Sequence, residues 1–285
     1  MATGGSCSDL IPIFKHMLTR YSGWLLTAGV VGILTCTGLG QRPTSSGGQT
    51  APVPAQKSAS PARFVVVLDA AHGGDDGGGQ VGASVAEKTV TLALSVRLRS
   101  LLTARGFTVV TTREGNVNLT SDARAQIANH ATAGSGGAAC LSLHASEAGA
   151  GVHIFVSSLA PTQSARFLAW KTAQSAYVAR SLKLAGTVNS AFEHSSTPSG
   201  GDSADANAGP IPATLARASL PGVDSMTCPA VAIEVAPIRS ADRTVVTEVT
   251  DPQYQTQIVE TLAAALLEWK TDQETDSHPS GGRLP

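Results

Sequence analysis

From residue 63 onward, apolar positions follow two alternating rhythms. Residues 63–70, RFVVVLDA, form a continuous β-branched run, the pattern of a strand covered on both faces. Residues 87–104 place Val90, Leu94, Leu98 and Leu101 on one helical stripe, which Gly106 ends. Residues 107–112 predict a second strand. Residues 120–133 predict a helix with Thr120, Ser121 and Asp122 as capping candidates. Residues 139–144 and 151–157 predict two further strands. Residues 164–192 predict one long helix, with Phe167, Trp170, Tyr177, Leu184 and Val188 at helical spacing. A polar, Gly-rich loop follows over 193–210. Residues 229–236 predict another buried strand. Residues 251–270 close with a helix bearing Tyr254, Ile258, Leu262 and Leu266. Strands alternating with helices predict a single α/β domain with a mostly parallel, twisted sheet flanked by helices.

The ends of the 285-residue chain follow neither rhythm. Residues 40–62, GQRPTSSGGQTAPVPAQKSASPA, are nearly free of bulky apolar side chains, so they read as a flexible linker. The tail over 271–285 is similar. Residues 23–40 are apolar and uncharged, preceded by Lys15 and Arg20, and sit at the lower limit of a bilayer span. Three readings fit: a cleaved signal, an uncleaved anchor, or a lipoprotein signal. The last would start at Met17 and end at Cys36, whose thiol would carry the lipid. All three place the folded part outside the cytoplasmic membrane. The expected organisation is therefore a signal or anchor segment over 1–39, a linker over 40–62, a catalytic-type domain over 63–270 and a disordered tail over 271–285.

Charge and cysteine usage narrow the classes. The net charge is −1 and the folded part holds no basic block, which excludes a nucleic-acid binder held by phosphate neutralisation. Cys140 and Cys228 both precede apolar runs in the exported part. They could pair in an oxidising compartment, or remain two unrelated buried thiols. No CxxC spacing occurs, so no cysteine-based metal site is expected.

Polar residues in apolar surroundings mark the candidate chemistry. His72 lies just past the first strand, His144 ends LSLH, and Glu87 opens the first helix. In a parallel sheet, ligands collect beyond the carboxyl ends of the strands, where all three would gather. Two His and one carboxylate with an open position make a catalytic zinc set. Glu234 interrupts the apolar run AVAIEVA. It would suit a general base beside a metal, or a strand-end carboxylate paired with Arg239. Gly77, Gly79 and Gly82 formally satisfy GxGxxG, but the strand ends about seven residues before them and the helix opens only at Glu87, the wrong register for a dinucleotide turn. GK[ST] is absent, which excludes a Walker loop. His130, His153 and His194 read as surface or packing residues, and Glu147 as a solvated loop carboxylate near His144.

Taken in order, HGGDDGG at 72–78, Glu87-Lys88, RAQIAN at 124–129, SLHA at 142–145 and PAVAIE at 229–234 resemble the zinc-dependent N-acetylmuramoyl-L-alanine amidases that cleave bacterial peptidoglycan. The resemblance spans 63–270. It implies an α/β fold, peptidoglycan as substrate, His72, Glu87 and His144 as zinc ligands and Glu234 as catalytic base. The chain departs from the family pattern at Ala71 (usually Gly), at Ser146 (usually Asn or Asp) and at Val235-Ala236-Pro237 (usually Gly-Phe). Residues 211–228 match poorly. A catalytically inactive wall-binding module that kept the fold is the alternative. Residues 158–210 could fold over the site as a lid.

Overall fold

The computed structural model describes residues 63–162, 169–195 and 211–277. The apolar N-terminal segment, the linker, Cys7 and Cys36 lie outside them, as does much of 158–210. Among the described residues, no helix is long and apolar enough to cross a membrane.

In chain order the elements are β1 (Phe64–Ala70), a short hairpin of β2 (Gln80–Val81) and β3 (Val85–Ala86), α1 (Glu87–Ala104), β4 (Thr108–Thr111), α2 (Ser121–Thr132), β5 (Gly137–Ala145) and β6 (Val152–Ser157). A 3₁₀ segment (Trp170–Ala176), α3 (Val178–His194), β7 (Ala213–Ala218), α4 (Pro221–Asp224), β8 (Ala230–Val235), a second small hairpin of β9 (Ile238–Arg239) and β10 (Val245–Thr247), and α5 (Pro252–Ser277) complete the chain. Six strands form one sheet in the order β4-β1-β5-β8-β6-β7. The first four are mutually parallel; β6 pairs antiparallel with β8, and β7 runs parallel to β6. The mostly parallel α/β sheet is thus as the patterning implies.

The sheet is covered unequally. Val66, Leu68, Leu141, Leu143, Ile154, Val231 and Ile233 face a thick layer of α1, α3 and α5, with Trp269 fully buried and its Nε1 donating to the Ala138 carbonyl at 3.1 Å. The opposite face carries Val65, Val67, Cys140, Ala230 and Ala232 under the smaller helices α2 and α4. A side chain at the carboxyl edge of this thinner face is therefore only partly covered. Ser142, His144 and Glu234 share the parity of that face, because side chains alternate along a strand.

Four expectations need correction. The long helix over 164–192 is broken. Gln174 donates to the Met226 and Cys228 carbonyls, Ser181 bonds Gln174, and the Ala230 N–H donates to Ser181, so polar anchors interrupt the helical ladder. Trp170, assigned to the buried stripe, is 39% exposed, and Phe167 lies outside the described residues. The last helix runs past Lys270 to Ser277, through part of the stretch read as a disordered tail, because no Gly or Pro interrupts the chain between Pro252 and Pro279. β7 had no sequence signal, being a largely exposed edge strand without apolar alternation. Cys140 and Cys228 form a disulfide, so the reading as separate thiols falls.

That disulfide spans 88 residues and cross-links β5 to the segment entering β8. Closing so long a loop restricts the unfolded chain strongly. Reduction should lower the unfolding free energy by about 2–4 kcal/mol in denaturant titrations. Alkylation of the unfolded, unreduced protein should leave Cys140 and Cys228 unmodified.

Candidate functional site

The site begins with the chain turning off β1. Ala71 keeps an ordinary backbone, donating its N–H to the Leu143 carbonyl at 3.1 Å, so the family's glycine is not needed there. The turn is made one residue later: His72 has φ 61°, in the left-handed region. Its carbonyl is gripped by Arg124 Nη2 at 2.7 Å.

The glycine loop then folds back onto the start of α1. The Glu87 N–H donates to the Gly79 carbonyl at 2.8 Å and the Lys88 N–H to the Gly77 carbonyl at 3.1 Å. Two orphan donors of the first helical turn are satisfied without a side-chain cap. The loop's own N–H groups are spent inside the protein: Gly74 on Asn116, Gly78 on Asp76, Gly79 on Glu87 and Gly82 on Glu147. Gly78, at φ 67°, is a contact point. A Cβ there would stand 2.6 Å from both Glu87 Oε2 and His72 Cδ2.

Three side chains meet at this point. His72 Nε2 lies 3.2 Å from Glu87 Oε2, and His144 Nδ1 lies 3.1 Å from Glu87 Oε1. The imidazoles stand edge to face, centroids 5.7 Å apart. The three donor atoms lie within 4.8 Å of one another, so the trio could hold a metal ion. The donor set fits one. His72 Nδ1 is engaged by Asp76 Oδ2 at 2.8 Å, which directs Nε2 inward, the usual way a carboxylate orients a ligand histidine. Each gap between imidazole nitrogen and Glu87 oxygen takes a shared proton or a metal ion, because two bare acceptors would repel. The donors, two nitrogens and one carboxylate, suit zinc.

Electrostatics keep both carboxylates charged. Burial acts to raise the Glu87 carboxyl, but its hydrogen bonds with His144 and with the Gly79 and Ala145 N–H groups, and the charge of His72, outweigh it and hold it below its ordinary 4.5. Asp76 is lowered by its bond to His72 and by the Gly78 N–H.

Glu234 occupies the neighbouring strand. In register, Glu234 pairs with His144 of β5 on one side and with His153 of β6 on the other, so all three share a sheet face. Glu234 is partly exposed and has no hydrogen-bond or ion-pair partner. Arg239 is not its mate, since that guanidinium binds the Gly149, Glu147 and Arg243 carbonyls. Glu147 holds Gly82 rather than orienting His144. His194 caps the end of α3 against the Ser190 carbonyl. His153, read as a packing residue, stacks on Phe155 and bonds Thr214 at 2.8 Å beside Glu234. Asp69, Asp76, Arg124 and Ser142 support the trio without having been singled out. The four-residue spacing of His72 and Asp76 was the one available hint.

Comparison with known proteins defines the class. The model of the N-acetylmuramoyl-L-alanine amidase family matches residues 66–268, and the chain belongs to that family. A 55-residue stretch is 44% identical to the germination-specific N-acetylmuramoyl-L-alanine amidase of Bacillus subtilis (strain 168), covering 19% of this chain and only 23% of that protein. In fold it resembles the amidase Ami1 of Mycobacterium smegmatis (TM-score 0.54, 19% identity, 74% of this chain and 98% of the other). It also resembles the catalytic domain of the amidase CwlV of Bacillus (Paenibacillus) polymyxa var. colistinus (TM-score 0.51, 22% identity, 73% and 98% covered).

Two outcomes follow from the geometry. Gly78→Ala should cost about 1–2 kcal/mol from its backbone alone and weaken divalent-metal binding by displacing Glu87, as read by chelator competition. A carboxyl lowered by folding stabilises above its unfolded value and loses that contribution as pH falls through its folded value. Thermal stability of metal-free protein should therefore fall below pH 4.5, and Glu87→Gln should lose less over that range in melting curves.

Proposed function

We propose that this protein is a zinc-dependent hydrolase that cleaves the amide bond between N-acetylmuramic acid and L-alanine in bacterial peptidoglycan. The observation that carries the reading is the juxtaposition, in a chain of this family, of the His72–Glu87–His144 trio with an unpaired carboxylate one strand away. His72 Nε2, a Glu87 oxygen and His144 Nδ1 would hold the zinc. Zinc bound there would supply Lewis acidity at the scissile carbonyl and lower the pKa of the attacking water.

The protein's own groups do the rest. Glu234 takes the proton of the attacking water and returns it to the nitrogen of the leaving L-alanine. Its lack of a competing cation keeps it free for both transfers. Asp76 holds the His72 ring, and the Gly79 and Ala145 N–H groups hold Glu87. The partial cover of the thinner sheet face leaves the site open to a polymer. The family acts on the cell wall, so the substrate lies outside the cytoplasmic membrane. The apolar segment at 23–40 fits export, with Cys36 as a candidate lipid site and residues 40–62 as the tether.

Glu234→Gln should lower release of stem peptide from purified sacculi by at least about 100-fold while zinc binding persists. Chelation should abolish the wild-type activity and added zinc restore it. Near-full activity of the variant would remove Glu234 from the mechanism. Stoichiometric zinc without any stem-peptide release would favour the inactive wall-binding alternative.

A further inference from the structure

Beneath His144 lies a buried carboxylate that the mechanism above does not use. Asp69 is 5% exposed, on β1, and Arg124 beside it is 7% exposed. Asp69 Oδ1 accepts from Thr112 Oγ1 at 2.7 Å and from Arg124 Nη1 at 2.8 Å. Asp69 Oδ2 accepts from Ser142 Oγ at 2.8 Å. Ser142 Oγ in turn lies 3.4 Å from His144 Nε2. Asp69 and Ser142 are register partners on neighbouring strands, and Ser142 is two residues before His144 on the same face.

Counting protons gives the arrangement a direction. The Asp69 carboxylate, paired with Arg124, accepts only. A hydroxyl has one proton, and Ser142 commits it to Asp69. Toward His144, Ser142 then offers only lone pairs, so Nε2 is the donor. A neutral imidazole carries one proton. With that proton on Nε2, the bare nitrogen is Nδ1, the one that faces Glu87. Asp76 does the same for His72 in one step. For His144 the step is relayed through a hydroxyl.

We propose that Asp69, through Ser142, fixes His144 in the tautomer that turns a bare Nδ1 toward Glu87, and so acts as a positioning residue for the metal centre. This rests on the reading of His72, Glu87 and His144 as zinc ligands. Asp69→Asn tests the direction of the relay. Thr112 and Arg124 both donate to Oδ1, so the amide oxygen stays there and the NH₂ group faces Ser142. Ser142 then gives its proton to His144 Nε2, and the ring's own proton moves to Nδ1, where zinc must displace it.

The experiment is zinc affinity by competition with a chromophoric chelator on the whole protein, for wild type, Asp69→Asn, Ser142→Ala, the double variant and His72→Ala. Melting curves accompany each as a folding control. Asp69→Asn should weaken zinc binding about 10–100-fold. Ser142→Ala, which leaves the Asp69–Arg124 pair intact, should weaken it about 10-fold. In the Ser142→Ala background, Asp69→Asn should have no further effect, because the relay is already cut. Additive losses in the double variant, or wild-type affinity in Ser142→Ala, would overturn the relay. The second result decides even if Asp69→Asn fails to fold. Equal zinc affinity in wild type and His72→Ala would instead overturn the metal site itself.

Discussion

Both oxygens of Glu87 are shared between an imidazole and a backbone amide. Oε1 meets His144 Nδ1 and the Ala145 N–H; Oε2 meets His72 Nε2 and the Gly79 N–H. One carboxylate thus joins the end of β5, the turn after β1, the glycine loop and the start of α1. A half-buried charge with four partners is expensive to disturb, since removing it strands two donors and two rings. The tight glycine loop follows from this constraint. The backbone must pass close enough to the carboxylate to donate to it, and at Gly78 there is no room for a side chain.

The sheet sets where that constraint acts. β1, β5 and β8 run parallel in perfect register through Asp69, Ser142 and His144 on one face, with Glu234 opposite His144. A one-residue slip of β8 would turn Glu234 into the thick helical layer and present an aliphatic side chain in its place. Long aliphatic runs packed under α1, α3 and α5 are what hold the register, so the apolar core of one face fixes the polar row on the other.

Much of this was legible in the sequence because the signals were local. Buried parallel strands are continuous apolar runs, and His72, His144 and Glu234 stood out as polar residues at their ends or within them. Glu87 stood out as the first residue of a helical stripe. What sequence reading missed depends on contacts between distant segments. Asp69 looked like one more residue at a strand end, yet its partners are 43, 55 and 73 residues away. Ser142 is unremarkable until its register with Asp69 is known. β7 has neither alternation nor an apolar run. The break before α3 comes from Gln174 and Ser181, whose side chains bind a strand some fifty residues on. Ala71 looked like a departure at the site, but the positive φ falls on His72 instead.

The disulfide between Cys140 and Cys228 has a further consequence for a protein that works among other secreted hydrolases. It closes a ring around β6, α3 and β7, the whole excursion between the strand of His144 and the strand of Glu234. A protease that cut anywhere between residues 141 and 227 would not release either strand. The two fragments would remain one covalent molecule, with their sheet register and the buried faces around it still in place to hold the cut chain together.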